Sequence, residues 1–236
     1  MTESRPAPPV RAFQPRTAAD DLAARLRTAL LEGRFAPGEA ISIRRIAEAE
    51  GVSIIPARDA LRALVAAGAL EFRDSRTIAV PALDPDTLGQ LRHARLAVEG
   101  ELAGRAFAAL ASAADRIAGI DAEVTRALLD RDIPAYMRTN RALHFFVYEA
   151  AAAPLLLALA DGLWLRFAPS MRILCEAFGG QPPRADFHQI AIAALRGGDA
   201  AGFRAAIEAD IDQGMAMLAD QARHPKHTPS QQARST

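Results

Sequence analysis

Apolar residues spaced three and four apart run through most of this sequence, and that period limits it to a mainly helical fold. Leu22, Leu26 and Leu30 form the first stripe, which ends at the glycine and proline residues of GRFAPGEA. The period continues to about residue 221, whereas residues 1–16 and 222–236 are polar, proline-containing and aperiodic. We therefore expect a mostly α chain with a disordered tail at each end.

Two shorter helices are predicted after the first one, with a tight turn between them. A helix over residues 42–50 is expected to bury Ile46 and to stop at Gly51. The next helix begins after Ser53, a favourable N-cap residue, and ends at Gly68. Three helices with such a short break between the last two are typical of a helix-turn-helix.

A β-hairpin is predicted directly after these helices. The stretch ALEFRDSRTIAV contains two short alternating segments around Asp74 and Ser75. Three helices followed by a hairpin, within residues 17–82, are the layout of a winged helix-turn-helix. On spacing alone, three small helices that carry solvated arginines are an equal alternative.

Candidate DNA contacts lie on the second and third helices. The N-terminal end of the third helix would enter the major groove, so it needs short or basic side chains, and it has Ser53 and Arg58. Arg44 and Arg45 on the preceding helix are placed to reach phosphates.

The segment GRFAPGEAISIRRIAEAEGVSIIPARDALRALVAAGALEF resembles the N-terminal domain of the GntR family of bacterial transcription regulators. The resemblance implies a winged helix-turn-helix that binds operator DNA. The family pattern has a Gly-x-x-x-Pro-Gly turn, a Leu-Ala-type helix, a Val-Ser-x-x-Pro-x-Arg-x-Ala-Leu recognition helix and a small-Gly-Leu segment after it. In this sequence the turn is Gly33 to Gly38, the first helix contains Ile46-Ala47, and the last segment is Gly68 to Leu70. The recognition helix matches at Val52, Ser53, Pro56, Arg58, Ala60 and Leu61.

Two positions depart from the family pattern. Ile54 stands where many members have arginine, and Arg76 lies at the wing tip, where many have glycine. Ile54 could contact a thymine methyl group in place of a guanine, and Arg76 could contact the DNA backbone or the minor groove.

Residues 84–221 resemble the all-helical effector domain of the FadR-like branch of this family. The resemblance implies a helical bundle that binds a small molecule and forms the dimer. Its opening helix has an arginine followed four residues later by a glutamate, here Arg95 and Glu99. Arg95 lies within an apolar stripe, and a buried guanidinium without a partner is costly, so it must meet either Glu99 or the carboxylate of a bound effector.

A second buried stripe carries polar residues that a core does not ordinarily contain. Asn140 and His144, four residues apart in NRALHFFVYEAAAAPLL, share a helical face with Leu143 and Val147. Asp210 lies on the expected buried face of the last long helix. These residues are either hydrogen-bonded core residues or part of a ligand site.

The resemblance also implies a metal site. Many members of this branch bind a divalent metal through an Asp, a His four residues later, a His on a later helix and another His 22 residues after that. The matching positions here hold Asn140, His144, His188 and Asp210, so two residue types differ. His144, His188 and Asp210 suit Zn²⁺, Mn²⁺ or Ni²⁺, with Asn140 as a weak ligand or a hydrogen-bond donor behind the ligands. The alternative is that the metal is lost and Asp210 pairs directly with a histidine.

Composition excludes several function classes. No apolar run approaches the roughly 20 residues that cross a bilayer, and no signal-peptide segment is evident, so we expect a cytoplasmic protein that does not enter a membrane. The net charge of the sequence is zero. Residues 1–80 contain 12 arginines and 10 acidic residues, and the remainder contains 16 basic and 18 acidic residues. This small difference in charge does not by itself indicate nucleic-acid binding. Cys175 is the single cysteine, which rules out an internal disulfide.

We therefore predict a homodimeric transcription regulator that binds a pseudo-palindromic operator and senses a small organic acid through Arg95 or the metal. A metal-dependent helical enzyme is the main alternative, because two histidines and a carboxylate also occur in oxygenases and hydrolases. The sequence lacks a phosphate-binding loop and a nucleophile elbow, so we do not expect an enzyme. A DNA-binding dimer whose helical domain binds no effector is the third alternative.

Overall fold

The computed structural model describes residues 16–74, 77–178 and 185–223, and these residues form a mainly helical protein with a small sheet. The mostly α fold class predicted from the sequence is confirmed. The predicted disordered tails lie outside the described residues, apart from Arg16 and the last two residues of the final helix. The elements in chain order are α1 (Ala18–Leu31), β1 (Ala40–Ile41), α2 (Ile43–Glu50), α3 (Ile54–Ala66), β2 (Glu71–Phe72), β3 (Ile78–Ala79), α4 (Pro85–Ala106), a 3₁₀ turn (Phe107–Leu110), α5 (Ala114–Leu129), α6 (Ile133–Ala150), α7 (Pro154–Phe178), α8 (Phe187–Arg196) and α9 (Ala200–Arg223).

The three N-terminal helices begin and end at local signals in the sequence. Thr17 caps α1 by accepting a hydrogen bond from the backbone N–H of Asp20, whose carboxylate in turn accepts from the N–H of Thr17. Gly51 ends α2 with a φ of 65°, a left-handed conformation that glycine adopts without steric cost. The prediction that Ile46 is buried was wrong: it is only partly buried, and the adjacent Ala47 fills the core position of this short helix.

The predicted hairpin is confirmed as β2 and β3, which pair antiparallel with Phe72 opposite Ile78. A third strand, β1, was not predicted. It pairs with β3 through Ala40 opposite Ala79, so the sheet has the order β1-β3-β2. Two residues are too few to show an alternating pattern in the sequence.

Six helices, α4 to α9, surround a second core that is separate from the N-terminal one. Its largest buried side chains include Trp164, Tyr148, Phe167 and Phe203. α4 packs along α9, α5 packs on α6, and α8 packs on α9. No helix in the described ranges is long and apolar enough to cross a membrane.

α7 connects the two cores. Its Leu165 is buried in the N-terminal core, whereas Trp164 and Phe167 belong to the second core. Asp161 on α7 accepts hydrogen bonds from Arg27 on α1 and from Arg141 on α6. One helix therefore carries both the wall of the C-terminal bundle and a docking face for the N-terminal helices.

Candidate functional site

A cavity opens within the C-terminal bundle and is lined by residues from all six of its helices. Its space is about 800 Å³ when its solvent-filled mouth is included. Apolar side chains such as Trp164, Phe167 and Leu174 form part of the wall. The polar and charged residues in the wall include Arg95, Asp121, Asn140, His144, His188 and Asp210.

His144, His188 and Asp210 come from three different helices and meet in this cavity. One ligand atom from each lies within 4.8 Å of the others. The Nε2 atom of His144 is 3.2 Å from Oδ2 of Asp210, and Nε2 of His188 is 3.6 Å from Oδ1. Both Nε2 atoms are buried and have no hydrogen-bond partner among the described residues. The three predicted metal ligands thus stand together with two unsatisfied nitrogens between them.

The other nitrogen of each imidazole is hydrogen-bonded. Nδ1 of His188 lies 2.8 Å from Oδ1 of Asp121, and Nδ1 of His144 lies 3.0 Å from the hydroxyl of Tyr148. Asp121, on α5, is 3 % exposed and also accepts from Nε2 of Gln189 at 2.5 Å. These bonds hold both rings with their Nε2 edges toward Asp210.

The electrostatic environment favours the charged forms of both His188 and Asp210. Burial alone would lower the pKa of His188, but the negative charges of Asp210 and Asp121 outweigh it and raise that pKa to about 9. Burial alone would raise the pKa of Asp210, and His188, His144 and Arg95 together lower it to about 2. The Asp210 side chain, which the sequence placed on the buried face of the last helix, is only partly buried and retains 26 % exposure.

Arg95 is paired with Glu99 deep in the bundle. Nε and Nη2 of Arg95 donate to the two carboxylate oxygens of Glu99 at 2.6 and 3.0 Å. Oε2 of Glu99 also accepts from Tyr148 at 2.7 Å and from Nε1 of Trp164 at 2.9 Å. Glu99, one of the two partners that the sequence left open for Arg95, contacts it. Arg95 lines the cavity, whereas Glu99 lies behind it and is completely buried.

Asn140 lies one helical turn before His144 and is in the cavity wall, with 5 % of its surface exposed. Asn140 therefore lines the same cavity as the three predicted metal ligands.

The residues predicted to contact DNA lie on an exposed end of the N-terminal helices. Arg44 and Arg45 are exposed in the first turn of α2, and Arg58 is exposed on α3. Ser53 is the N-cap residue of α3, but its hydroxyl makes no capping bond within the described part of the chain. Ile54 is 41 % exposed. Arg76 falls outside the described residues.

Two family models match the chain. The model described as "Bacterial regulatory proteins, gntR family" matches residues 18–80, and the "FCD domain" model matches residues 90–213, more than half of the sequence. The chain belongs to the GntR family, in the branch that carries an FCD domain. The resemblance seen in the sequence is confirmed.

Known relatives of this GntR-family chain are also regulators. HTH-type transcriptional regulator McbR of Escherichia coli strain K12 is 26 % identical over 206 residues, which cover 83 % of this chain and 90 % of McbR. The solved structure of E. coli McbR/YncC has a TM-score of 0.78 at 24 % identity and covers 87 % of this chain and 99 % of that one. A putative GntR regulator from Rhodococcus sp. RHA1 has a TM-score of 0.71 at 18 % identity, covering 86 % and 97 %.

The GntR-family chain is therefore a DNA-binding transcription regulator with an FCD effector domain, and its homologues are regulators, not enzymes. The helix-turn-helix implies operator DNA as a partner, and the FCD domain indicates a small-molecule effector.

Several residues of this GntR-family site were not predicted from the sequence. Asp121 occupies the α5 stripe between Ile117 and Val124, at steps of four and three residues, and that pattern marks it as buried. Tyr148 continues the α6 face one turn after His144. Ile55, 69 % exposed beside Ile54, extends the apolar surface at the start of the recognition helix.

Proposed function

We propose that this chain is a homodimeric operator-binding regulator in which His144, His188 and Asp210 hold a divalent metal that takes part in sensing a small organic acid. Residues 17–82 would form the DNA-binding domain and residues 84–221 the ligand-binding and dimerisation domain. The observation that carries the metal is the pair of buried Nε2 atoms that face an ionised Asp210 without hydrogen-bond partners in the described chain.

A metal accounts for that arrangement better than an empty cluster does. A buried polar atom without a partner costs about 1–3 kcal/mol, and one cation would satisfy two such nitrogens together with the carboxylate. Imidazole nitrogen and carboxylate oxygen are suitable donors for Zn²⁺, Mn²⁺ or Ni²⁺. The Asn140 carbonyl adds at most a neutral oxygen, so positions would remain open for water or an effector.

The proposed effector is a small carboxylic acid, because Arg95 and the three proposed metal ligands line the same cavity. Arg95 uses two of its five N–H donors on Glu99, which leaves three for another acceptor. A carboxylate that reaches both the metal and Arg95 would bring two charge-assisted contacts into a wall that is otherwise largely apolar.

Regulation would follow from a difference in affinity. An effector that binds one arrangement of the two DNA-binding heads better than another shifts the population toward it and changes operator affinity by that difference.

The metal is tested by elemental analysis of the purified chain and by titration of the metal-free chain with Zn²⁺, Mn²⁺ and Ni²⁺. We expect close to one ion per subunit, lost in His188→Ala and retained in His93→Ala, which changes an exposed histidine on α4. Operator binding should persist in His188→Ala while its response to carboxylates disappears. An effector that binds while no metal does would instead favour a direct ion pair between Asp210 and the histidines.

The proposed DNA contacts are Arg44, Arg45, Ser53, Ile54 and Arg58, with Arg76 on the wing. Support comes from the exposure of Arg58 and Ile54 at the start of α3 and from the uncommitted hydroxyl of Ser53. Two copies related by a two-fold axis would read one half-site each, so the operator would be pseudo-palindromic.

A further inference from the structure

Each histidine of the proposed metal site is hydrogen-bonded, on the nitrogen that faces away from Asp210, to a buried carboxylate system. Asp121 contacts His188 directly, and Glu99 contacts His144 through Tyr148. The two carboxylates come from α5 and α4, so four helices contribute to the orientation of two rings.

The proton positions on His188 follow from the chemistry of its partner. An ionised carboxylate has no hydrogen to donate, so the 2.8 Å contact with Asp121 requires a proton on Nδ1 of His188. A metal binds only the neutral imidazole and so displaces the second proton of His188; the Nδ1 proton is then the single one that the ring carries, and Nε2 presents its lone pair toward Asp210.

The same deduction applies to His144 one step further away. Both oxygens of Glu99 accept from Arg95, and its Oε2 also accepts from Trp164, which can only donate, so the 2.7 Å contact uses the single hydrogen of the Tyr148 hydroxyl. The Tyr148 oxygen can then only accept from His144, which places the proton on Nδ1 and the lone pair on Nε2. Two independent chains of hydrogen bonds thus specify the same tautomer.

We propose that Asp121 and the Glu99–Tyr148 pair are positioning residues that hold both imidazoles in the tautomer able to bind a metal through Nε2. This inference rests on the proposed metal site. Such partners orient a ligand ring, fix its proton on the far nitrogen and raise its basicity. Removing one typically weakens metal binding about 10- to 100-fold.

The first test uses the two tyrosines of the chain as a matched pair. Tyr148→Phe removes the hydroxyl that contacts His144 and leaves the ring in place. Tyr136→Phe removes a hydroxyl from the same cavity, and within the described residues that hydroxyl has no hydrogen bond to either histidine. In a competition titration of Zn²⁺ against a chromophoric chelator, Tyr148→Phe should bind about 10- to 100-fold more weakly than wild type, and Tyr136→Phe should bind like wild type. Equal affinities in the two variants would overturn the role of Tyr148.

A second measurement reads the tautomer without any metal. In metal-free protein with ¹⁵N-labelled histidine, long-range ¹H–¹⁵N spectra should show neutral His144 protonated at Nδ1, and Tyr148→Phe should give a mixture of tautomers. A wild-type ring protonated at Nε2 would refute the inference even if metal binds. If the Nδ1 tautomer is found but no metal binds, the metal proposal fails and the positioning of the ring stands.

Asp121 is tested in the same titration. Asp121→Ala should weaken Zn²⁺ binding about 10- to 100-fold, with the circular dichroism spectrum of the metal-free protein unchanged. Asp115→Ala, which removes an exposed carboxylate of the same helix, is the control. If Asp121→Ala binds Zn²⁺ with wild-type affinity, Asp121 is not a positioning residue.

Discussion

Replacing Asp161 with asparagine should uncouple the DNA-binding helices from the effector bundle. Asp161 accepts from Arg27, which belongs to α1, and from Nη2 of Arg141 on α6 at 2.7 Å. Arg141 is the residue after Asn140, which lines the cavity, and its guanidinium lies 3.7 Å from the ring centroid of Phe145. One carboxylate therefore joins the helix that carries the cavity to the first helix of the N-terminal core.

The loss in the free energy of unfolding on Asp161→Asn follows from the charges of the three side chains and their exposure. Two unit charges about 4 Å apart attract by about 4 kcal/mol at an effective dielectric constant of about 20. The Arg27, Asp161 and Arg141 side chains retain 30 %, 36 % and 28 % exposure, so solvent screening and desolvation reduce each pair to about 1 kcal/mol. The two guanidinium groups also repel each other, so we expect Asp161→Asn to cost about 1–2 kcal/mol in total.

The assay is a double-mutant cycle on the full chain with Arg27→Gln, Asp161→Asn and the double variant, followed by denaturant unfolding. The coupling energy between Arg27 and Asp161 should be about 1 kcal/mol. The more exposed pair of Arg25 and Glu50, which lies within the N-terminal helices, serves as the control and should give less than about 0.5 kcal/mol.

The functional readout is the change in operator affinity caused by metal or carboxylate. We expect Asp161→Asn to diminish it while metal binding and operator binding each persist. A coupling energy of zero, together with an unchanged operator response, would refute the reasoning.

The remaining predictions concern the metal ligand, the DNA contacts and pH. Asn140→Asp should tighten Zn²⁺ binding, measured by chelator competition, because it adds an anionic ligand; weaker binding would exclude Asn140 from the site. Arg58→Ala should cost about 1–3 kcal/mol of operator affinity in a gel-shift or anisotropy titration, whereas Arg44→Ala should weaken all sequences similarly and reduce the salt dependence; wild-type affinity in Arg58→Ala would defeat its assignment. Arg76→Ala should weaken operator binding without lowering the thermal midpoint, and the opposite result would assign Arg76 to the fold. Burial alone would raise the pKa of Asp161, but its two arginines lower it below 3.8, so its stabilisation should be complete above pH 3.8 and be lost as the pH falls through the lower folded value, which acid unfolding of wild type against Asp161→Asn would measure.

The helices and the hairpin were predictable because their signals are local. Caps such as Ser42 and Asp84 and the left-handed Gly51 act within one or two turns, and the apolar period extends over whole helices. β1 was missed because its two residues gain their conformation from β3, almost forty positions later. Ile46 was predicted in place of Ala47 as the buried residue of α2 because this helix has only eight residues, and so short an apolar stripe does not define its buried face.

The spacing of apolar residues along the sequence was not sufficient to identify the residues of the candidate site. His144, His188 and Asp210 were grouped by family resemblance, since spacing alone does not bring three helices together. The apolar period of α5 marks Asp121 as a buried residue, but the family pattern that identified the ligands does not include it. The surroundings of Glu99 depend on Tyr148 and Trp164, which lie 49 and 65 residues away, and no local rule connects them.

The two faces of α7 limit how freely the halves of this regulator can be exchanged by recombination. A DNA-binding domain joined to the C-terminal helical domain only through a linker could be replaced without changing that helical domain. Here Leu165, from the sensor half, completes the N-terminal core, and Arg172 of the same helix donates to the carbonyl of Gly33 at 3.5 Å. A chimera that imports a foreign head would therefore also need the matching surface of α7, so natural substitutions on α1 and α7 should be inherited together.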